Sequence, residues 1–356
     1  MIRTFRILVA CAALVGGAHA QSAPDHVDIT WMSITNMHFD LGAQKILADG
    51  YITRLPQEIF YSGASGYGKT QRAVHPDEAA VKEVLDALGG KPAVKLLLTG
   101  HNHFDHAFDT ATWAKLSGAR VIGAPTACLQ TRAQGIPAGR CTPVLGGEVF
   151  ELERGVRLYA IRWNHSGGPA QNPELHAPRE LDELPVPDAS GALRAGVLED
   201  FPNGGGNRAY LFTVDGPQGR FSWFFQDSGS PVDLREPIVV AGKNYGAPLE
   251  NLRAAMKAAG IDSVNLWIAT GGRDMAALVL PVLKPAAYLP VHWDGLFGPF
   301  KAGPSQPYDD PELARVLVDA GVRLITPVQY MDKWRLDAQG IRAVDNSAVK
   351  KKLGFN

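Results

Sequence analysis

Residues 96–109 read LLLTGHNHFDHAFD, and within them His101, His103, Asp105 and His106 form a His-x-His-x-Asp-His run. The chain has only 10 histidines, so three within six positions is a marked concentration. Neutral imidazole and carboxylate are donors that suit zinc, manganese and iron. His101 and His103, two apart, can converge on one ion from a tight turn. Asp105 and His106 then face a second position nearby. Two ions need more donors than these four residues hold. Further ligand-type residues stand at the ends of apolar runs: His165 in RWNHSGG, Asp227 in WFFQDSG and His292 in YLPVHWDG. Any one of them alone would more readily be structural. Taken with the first cluster, in this order, they make a ligand set.

The elements that must carry these residues follow from pattern. Residues 27–35 and 44–52 read as strands, with the turn between them near Asp40-Leu41-Gly42. Helix signals flank 78–88, with Asp77 as N-cap and Gly89 just past the end. The apolar stretch AVKLLLTG predicts a strand that delivers the histidine cluster at its C-terminal end, and DTATWAKLSG a helix after it. Ligands in α/β folds gather at such strand ends. A short strand is expected at 119–125, and β structure at 147–163, 208–216 and 219–229. Helices are expected at 248–260 and 311–321, with Pro311 in the first turn of the latter. Strands are expected at 263–270, 286–293 and 322–328. The class is α/β. Residues 169–206, with six prolines and the run NGGGN, read as an ordered, loop-rich insertion that could form a lid. NGGGNR resembles a phosphate-cradling loop but precedes a strand rather than a helix, so it is not read as one.

The ligand series, His-x-His-x-Asp-His, then His, then Asp, then His, resembles the metallo-β-lactamase superfamily over nearly the whole chain after residue 20. That resemblance implies an αββα four-layer sandwich with the site at one edge between the sheets. It implies two divalent metal ions, zinc before manganese or iron. His101, His103 and His165 would hold the first, Asp105, His106 and His292 the second, and Asp227 would bridge them. Within the superfamily, ITWMSITN, KILADGY and LPVHWDG are similar to the branch of ascorbate-6-phosphate lactonase and N-acyl-phosphatidylethanolamine phospholipase D. Asp49 matches that branch's Asp, while Gly50 replaces its Pro and Ser33-Ile34 its Gly-His. The implied activity is hydrolysis by hydroxide formed at the metals, with Asp105 orienting the nucleophile and shuttling a proton to the leaving group. A small ester, lactone or phosphodiester is the expected substrate. The alternatives are a secreted β-lactamase and a non-catalytic exported metal-binding protein. Asn164 and Asp294, next to ligands, are candidates for fixing imidazole orientation. Trp163, Trp293 and Phe297 are candidates for a substrate wall, set against plain core packing. His38, His75 and His176 read as structural or surface residues.

Composition bounds the partners. Lys+Arg total 35 and Asp+Glu 36, which gives no basic excess for nucleic acid. MIRTFR, ILVACAALVGG and AHA read in turn as the basic, apolar and cleavage regions of a signal peptide, residues 1–20. No other stretch approaches the length of a membrane span. The expectation is an exported domain over 21–356 acting on a small molecule, periplasmic or secreted. Once Cys11 is removed, Cys128 and Cys141 remain and could pair in an oxidising compartment.

Overall fold

The computed structural model describes residues 22–60, 72–165, 177–197 and 199–355. The expected signal peptide and His176 lie outside the described residues. The first half of the chain supplies β1 (His26–Ser33), β2 (Asn36–Asp40), β3 (Lys45–Ala48), β4 (Leu96–Leu98), β5 (Arg120–Gly123) and β6 (Cys141–Pro143). Next come β7 (Val149–Glu153), β8 (Val156–Arg162), β9 (Arg208–Gly216) and β10 (Gly219–Gln226). A small ribbon, β11 (Val239–Val240) with β12 (Lys243–Asn244), is followed by β13 (Leu266–Ala269), β14 (Ala287–Pro290) and β15 (Arg323–Leu324). The last strands are β16 (Lys333–Asp337) and β17 (Gly340–Val344). They form one sheet in the order β17-β16-β1-β2-β3-β4-β5-β6 and another in the order β15-β14-β13-β10-β9-β8-β7.

Side-chain alternation decides which face meets which layer. Leu158, Ala160, Phe212 and Phe225 join Ile29 and Phe39 of the first sheet in one buried cluster. The Phe39 ring lies 5.6 Å from Phe212 and 5.5 Å from Trp223. Their neighbours Tyr159, Ile161, Leu211 and Phe224 turn the other way. There they meet Leu252 and Met256 of α5 (Pro248–Ala259), Val279 of α6 (Arg273–Leu283) and Leu317 of α7 (Pro311–Asp319). The outer face of the first sheet is covered by earlier helices. The helix over Glu78–Leu88, α1, buries Val81, Val84 and Leu85. After α2 (Phe104–Ala107) comes α3 (Thr110–Ser117), which buries Trp113; α4 (Pro125–Ala133) follows. The Asp77 side chain accepts from the Ala80 N–H, and Gly89 at φ 119° ends α1, as its residue types imply. The layers run helix, sheet, sheet, helix, the αββα four-layer sandwich that the resemblance implies.

Several elements differ from expectation. The first expected strand breaks at Ser33 and Ile34, which carry positive φ of 139° and 45°, and a separate β2 follows. Asp49 at φ 59° ends β3 early. Pro125 opens α4 where a strand was expected to close. The segment Arg273–Leu283 forms α6 despite Pro281 inside it. The expected strand at 322–328 shrinks to β15, and α8 (Ser347–Leu353) follows the hairpin of β16 and β17.

Parallel pairing runs through β3-β4-β5-β6 and through β10-β13-β14-β15. Their C-terminal ends carry the candidate site. Cys128 on α4 and Cys141 at the start of β6 form a disulfide across 13 residues. In the chain-entropy model such a loop contributes roughly 3 kcal/mol. Replacing both cysteines by serine is expected to lower the midpoint of thermal unfolding by roughly 5 °C. An unchanged midpoint under non-reducing conditions would contradict this.

Candidate metal centre

The strand β4 is three buried leucines, and the chain leaves it at Thr99-Gly100 straight into the histidine loop. His101 and His103 precede α2, and Asp105 and His106 lie on it. His165 comes three residues after β8, Asp227 directly after β10, and His292 two residues after β14. His292 holds φ 67°, and its N–H donates to the Ile34 carbonyl. His101, His103, Asp105, His106 and Asp227 are buried, while His165 and His292 are partly exposed at the rim. All seven sequence-predicted residues therefore meet at one edge of the sandwich.

Their donor atoms fall into groups within 4.8 Å: His101 with His103 and His165, and Asp105 with His106 and His292. In the first, each pair of ring centroids is 4.6 Å apart, and His101 Nε2 is 3.0 Å from His103 Nδ1. In the second, Asp105 Oδ2 lies 3.1 Å from His106 Nε2 and 3.0 Å from His292 Nε2. His101 and His106, with centroids 3.9 Å apart, join the two groups. A third group contains His101, His106 and Asp227, so Asp227 touches one imidazole from each side. It meets them on their other nitrogens, with Oδ2 at 2.7 Å from His101 Nδ1 and 3.5 Å from His106 Nδ1. The resemblance makes Asp227 a bridge between ions. Its carboxylate here lies behind the rings rather than among the nitrogens that face one another.

An outward partner fixes the polarity of three rings. The His103 Nε2–H donates to the Phe201 carbonyl at 3.0 Å. A carbonyl can only accept, so His103 Nδ1 keeps its lone pair for the cluster. The Asp227 carboxylate does this for His101. For His106, Asp49 Oδ2 lies 3.0 Å from Nδ1, and the Thr35 hydroxyl is 2.7 Å from it. His106 Nε2 is buried without an aligned hydrogen-bond partner, as befits a donor aimed at a cation. Burial, reinforced by neighbouring imidazoles, holds His101 and His165 well below the ordinary histidine pKa. Burial likewise brings His103 down to about 4. These rings are neutral, the form that binds metal. Burial pushes the Asp105 carboxyl up, but adjoining His106 and His292 outweigh it and hold Asp105 well below its usual value. Burial pushes His106 down, but Asp105 and Asp49 outweigh it and hold His106 above its ordinary value. Burial raises both Asp49 and Asp227. Nitrogen and carboxylate donors in this arrangement fit two divalent cations.

The insertion is part of the site wall. Asn203 Oδ1 accepts from the His165 N–H at 2.8 Å, and the Gly204 carbonyl accepts from the Asn102 N–H at 3.0 Å. A Cβ on Gly204 would stand 2.8 Å from His101 Cβ, so the glycine run lets the backbone pass beneath the histidine. That close approach is the signal in NGGGN, and Phe201 and Asn203 were missed without it. Glu180 clamps this segment, 2.6 Å from Arg162 Nη1 and 3.2 Å from Arg208 Nη2. Asn164 and Asp294 do not hold imidazoles. Asn164 brackets Ser230, and Asp294 takes the Ile34 N–H and the Tyr330 hydroxyl. Trp163 is core, whereas Trp293 lines a cavity of about 450 Å³ beside His292. Tyr288, Gln306, Tyr308, Asp309 and Asp310 also line it, and its described lining includes no lysine or arginine. Phe297 packs with Phe60 and Phe104. Among the described residues no helix is long and apolar enough to cross a membrane.

No family model matches the chain. A UPF0173 metal-dependent hydrolase of Pyrobaculum arsenaticum is 27% identical over 147 residues, 40% of this chain and 54% of that protein. Its counterpart from Pyrobaculum calidifontis is 32% identical over 77 residues, 21% of this chain and 34% of that one. The chain thus spans about half the length of the first relative and a third of the second. Among solved structures, Igni18, a metallo hydrolase from the archaeon Ignicoccus hospitalis, is similar at a TM-score of 0.49 and 13% identity, covering 88% of this chain and 99% of that one. The metallo-beta-lactamase fold protein YhfI from Bacillus subtilis is similar at 0.46 and 9%, covering 87% and 99%.

The depressed histidines set a pH limit. A ring with a pKa near 4 competes with protons only below that value. Cation binding at the His101, His103 and His165 group is therefore expected to persist as pH falls from 6.5 to about 5 and to fail near 4. Metal per chain after equilibrium dialysis reads this out: at least one equivalent is expected down to about pH 5, and a chain emptied near 6.5 would contradict it.

Proposed function

We propose that the chain is an exported metal-dependent hydrolase that uses two divalent cations, zinc foremost, to cleave a small neutral ester or lactone. The observation that carries this is the polarity of the donor set: six inward donors, three of them on rings whose far nitrogens are tied outward. A bound cation pair supplies hydroxide at neutral pH and polarises the bond under attack. His101, His103 and His165 would hold one cation, and Asp105, His106 and His292 the other. Asp105, kept ionised by His106 and His292, would orient the attacking hydroxide and relay its proton to the leaving oxygen after attack. Trp293 and the tyrosines of the adjoining cavity bind the rest of the substrate. The acidic, aromatic lining favours an uncharged ester or lactone over a phosphodiester. Cleavage near Ala20 would release the protein outside the cytoplasm, where a disulfide between Cys128 and Cys141 persists.

A second reading, hydrolysis of a β-lactam amide, is favoured by one observation. The absence of a bridging carboxylate is usual in true β-lactamases of the superfamily, and Asp227 lies behind the rings. Turnover of a chromogenic cephalosporin would select it.

Treatment with a chelator is expected to abolish hydrolysis of a panel of aryl esters and lactones, and added zinc to restore it. Asp105→Asn is expected to lower kcat by roughly 10²–10⁴-fold, the range for a proton-transfer group. A chelated protein that kept full activity would end the proposal.

A further inference from the structure

Asp227 is the one sequence-predicted ligand set apart from the inward donors. Its Oδ2 is 2.7 Å from His101 Nδ1, while His101 Nε2, across the ring, is 3.0 Å from His103 Nδ1. The carboxylate is seated from every side. Asn207 Nδ2 donates to its Oδ1 at 3.2 Å, and the same amide donates to the Ser228 hydroxyl. Above it is Gly100, where a Cβ would stand 2.1 Å from Oδ2. A residue with a side chain at position 100 would expel the carboxylate from this seat. The Gly100 N–H donates to Asp49 Oδ1 at 3.1 Å, and Asp49 Oδ2 in turn meets His106 Nδ1. One glycine therefore organises two carboxylates behind two histidines.

We propose that Asp227 is a positioning residue and not a metal ligand: it holds His101 in the tautomer with its proton on Nδ1 and aims Nε2 at the cation. The inference rests on the two-site reading and deepens it. The described residues then supply three donors to each cation, and none of their carboxylates is shared between the two. A hydrogen-bonded carboxylate behind a ligating imidazole raises its basicity and fixes its orientation, and its loss typically costs 10–100-fold in metal affinity.

The test compares wild type with Asp227→Asn in the full chain, loaded with zinc and separately with cobalt(II). Asparagine keeps the shape and can accept from Nδ1–H through its amide oxygen. Both proteins are expected to hold two equivalents of zinc. The variant should need roughly 10–100-fold more free zinc to fill the His101 group. Its cobalt(II) absorption bands should keep their positions, because the inner donors are unchanged. A variant that holds one equivalent, or whose cobalt bands move as for a lost donor, overturns the proposal and leaves the two-site reading standing. A wild type that binds no metal overturns both. A measurement on zinc-loaded wild type covers the case of a variant that fails to fold. Histidine-labelled ¹⁵N NMR is expected to find His101 protonated on Nδ1, with a downfield proton protected from exchange. A His101 Nδ1 proton in free exchange with solvent would overturn the assignment.

Discussion

An imidazole has two nitrogens and, when neutral, one proton, so a histidine can aim a lone pair at a cation only if its other nitrogen donates elsewhere. Three rings of this site meet that constraint with three different acceptors: Asp227 for His101, the Phe201 carbonyl for His103, and Asp49 with Thr35 for His106. The acceptors come from segments far apart in the chain. Asp49 ends β3, Asp227 follows β10, and Phe201 belongs to the insertion. Bringing them to one edge is what the stacked sheets accomplish, because parallel strands of both sheets end there.

Close approach of backbone to these rings then dictates where glycine stands. Gly100 lets the Asp227 carboxylate sit under the main chain, and Gly204 at φ 71° lets the insertion run against His101. In neither place could an alanine be accommodated without displacing a group that orients a histidine. The insertion is therefore not a cover resting on a finished site. It supplies the acceptor that sets the His103 tautomer, and its fit depends on a salt bridge some twenty residues earlier. Glu180 lies between two buried arginines, Arg162 from β8 and Arg208 from β9. Removing the glutamate would leave both guanidinium groups buried against each other, a costly state that ties the segment firmly to the sheet.

Much of this was legible in the sequence because ligands are specified by residue type. The spacing of His101, His103, Asp105 and His106 is local, and His165, Asp227 and His292 announce themselves at the ends of apolar runs. The amphipathic α1 and α5 carry their own periodicity, and β9 and β10 read as apolar runs buried on both faces. What stayed hidden depends on tertiary contact. Phe201 acts through its carbonyl, so its side chain carries no trace of the role. Asn164 and Asp294 sit beside ligands in the sequence, but on the loops past β8 and β14 their side chains bond elsewhere, Asn164 to Ser230 and Asp294 to Ile34 and Tyr330. The breaks at Ser33 and Asp49 are backbone conformations, imposed by the network of Asn36, Tyr51 and Asp294 around them rather than by local propensity.

The electrostatics of the site run against its own burial. Asp49, Asp105 and Asp227 are carboxylates withdrawn from water, and burial pushes each toward its protonated form. At the same time His101, His103 and His165 are kept neutral and so cannot compensate. Asp105 and Asp49 pull His106 toward its protonated form, so in the absence of a cation the one compensating charge is the proton that a cation at Nε2 would replace. A protein that only needed to fold would do better with apolar residues here. Divalent cations would reverse the balance, because they reward ionised carboxylates and neutral imidazoles together. The strain is carried by the rest of the molecule, by the core shared between the sheets, the Cys128–Cys141 bond and the Glu180 clamp. A site that is locally unfavourable, seated on a frame with stability to spare, is the expected arrangement where chemistry rather than packing chose the residues.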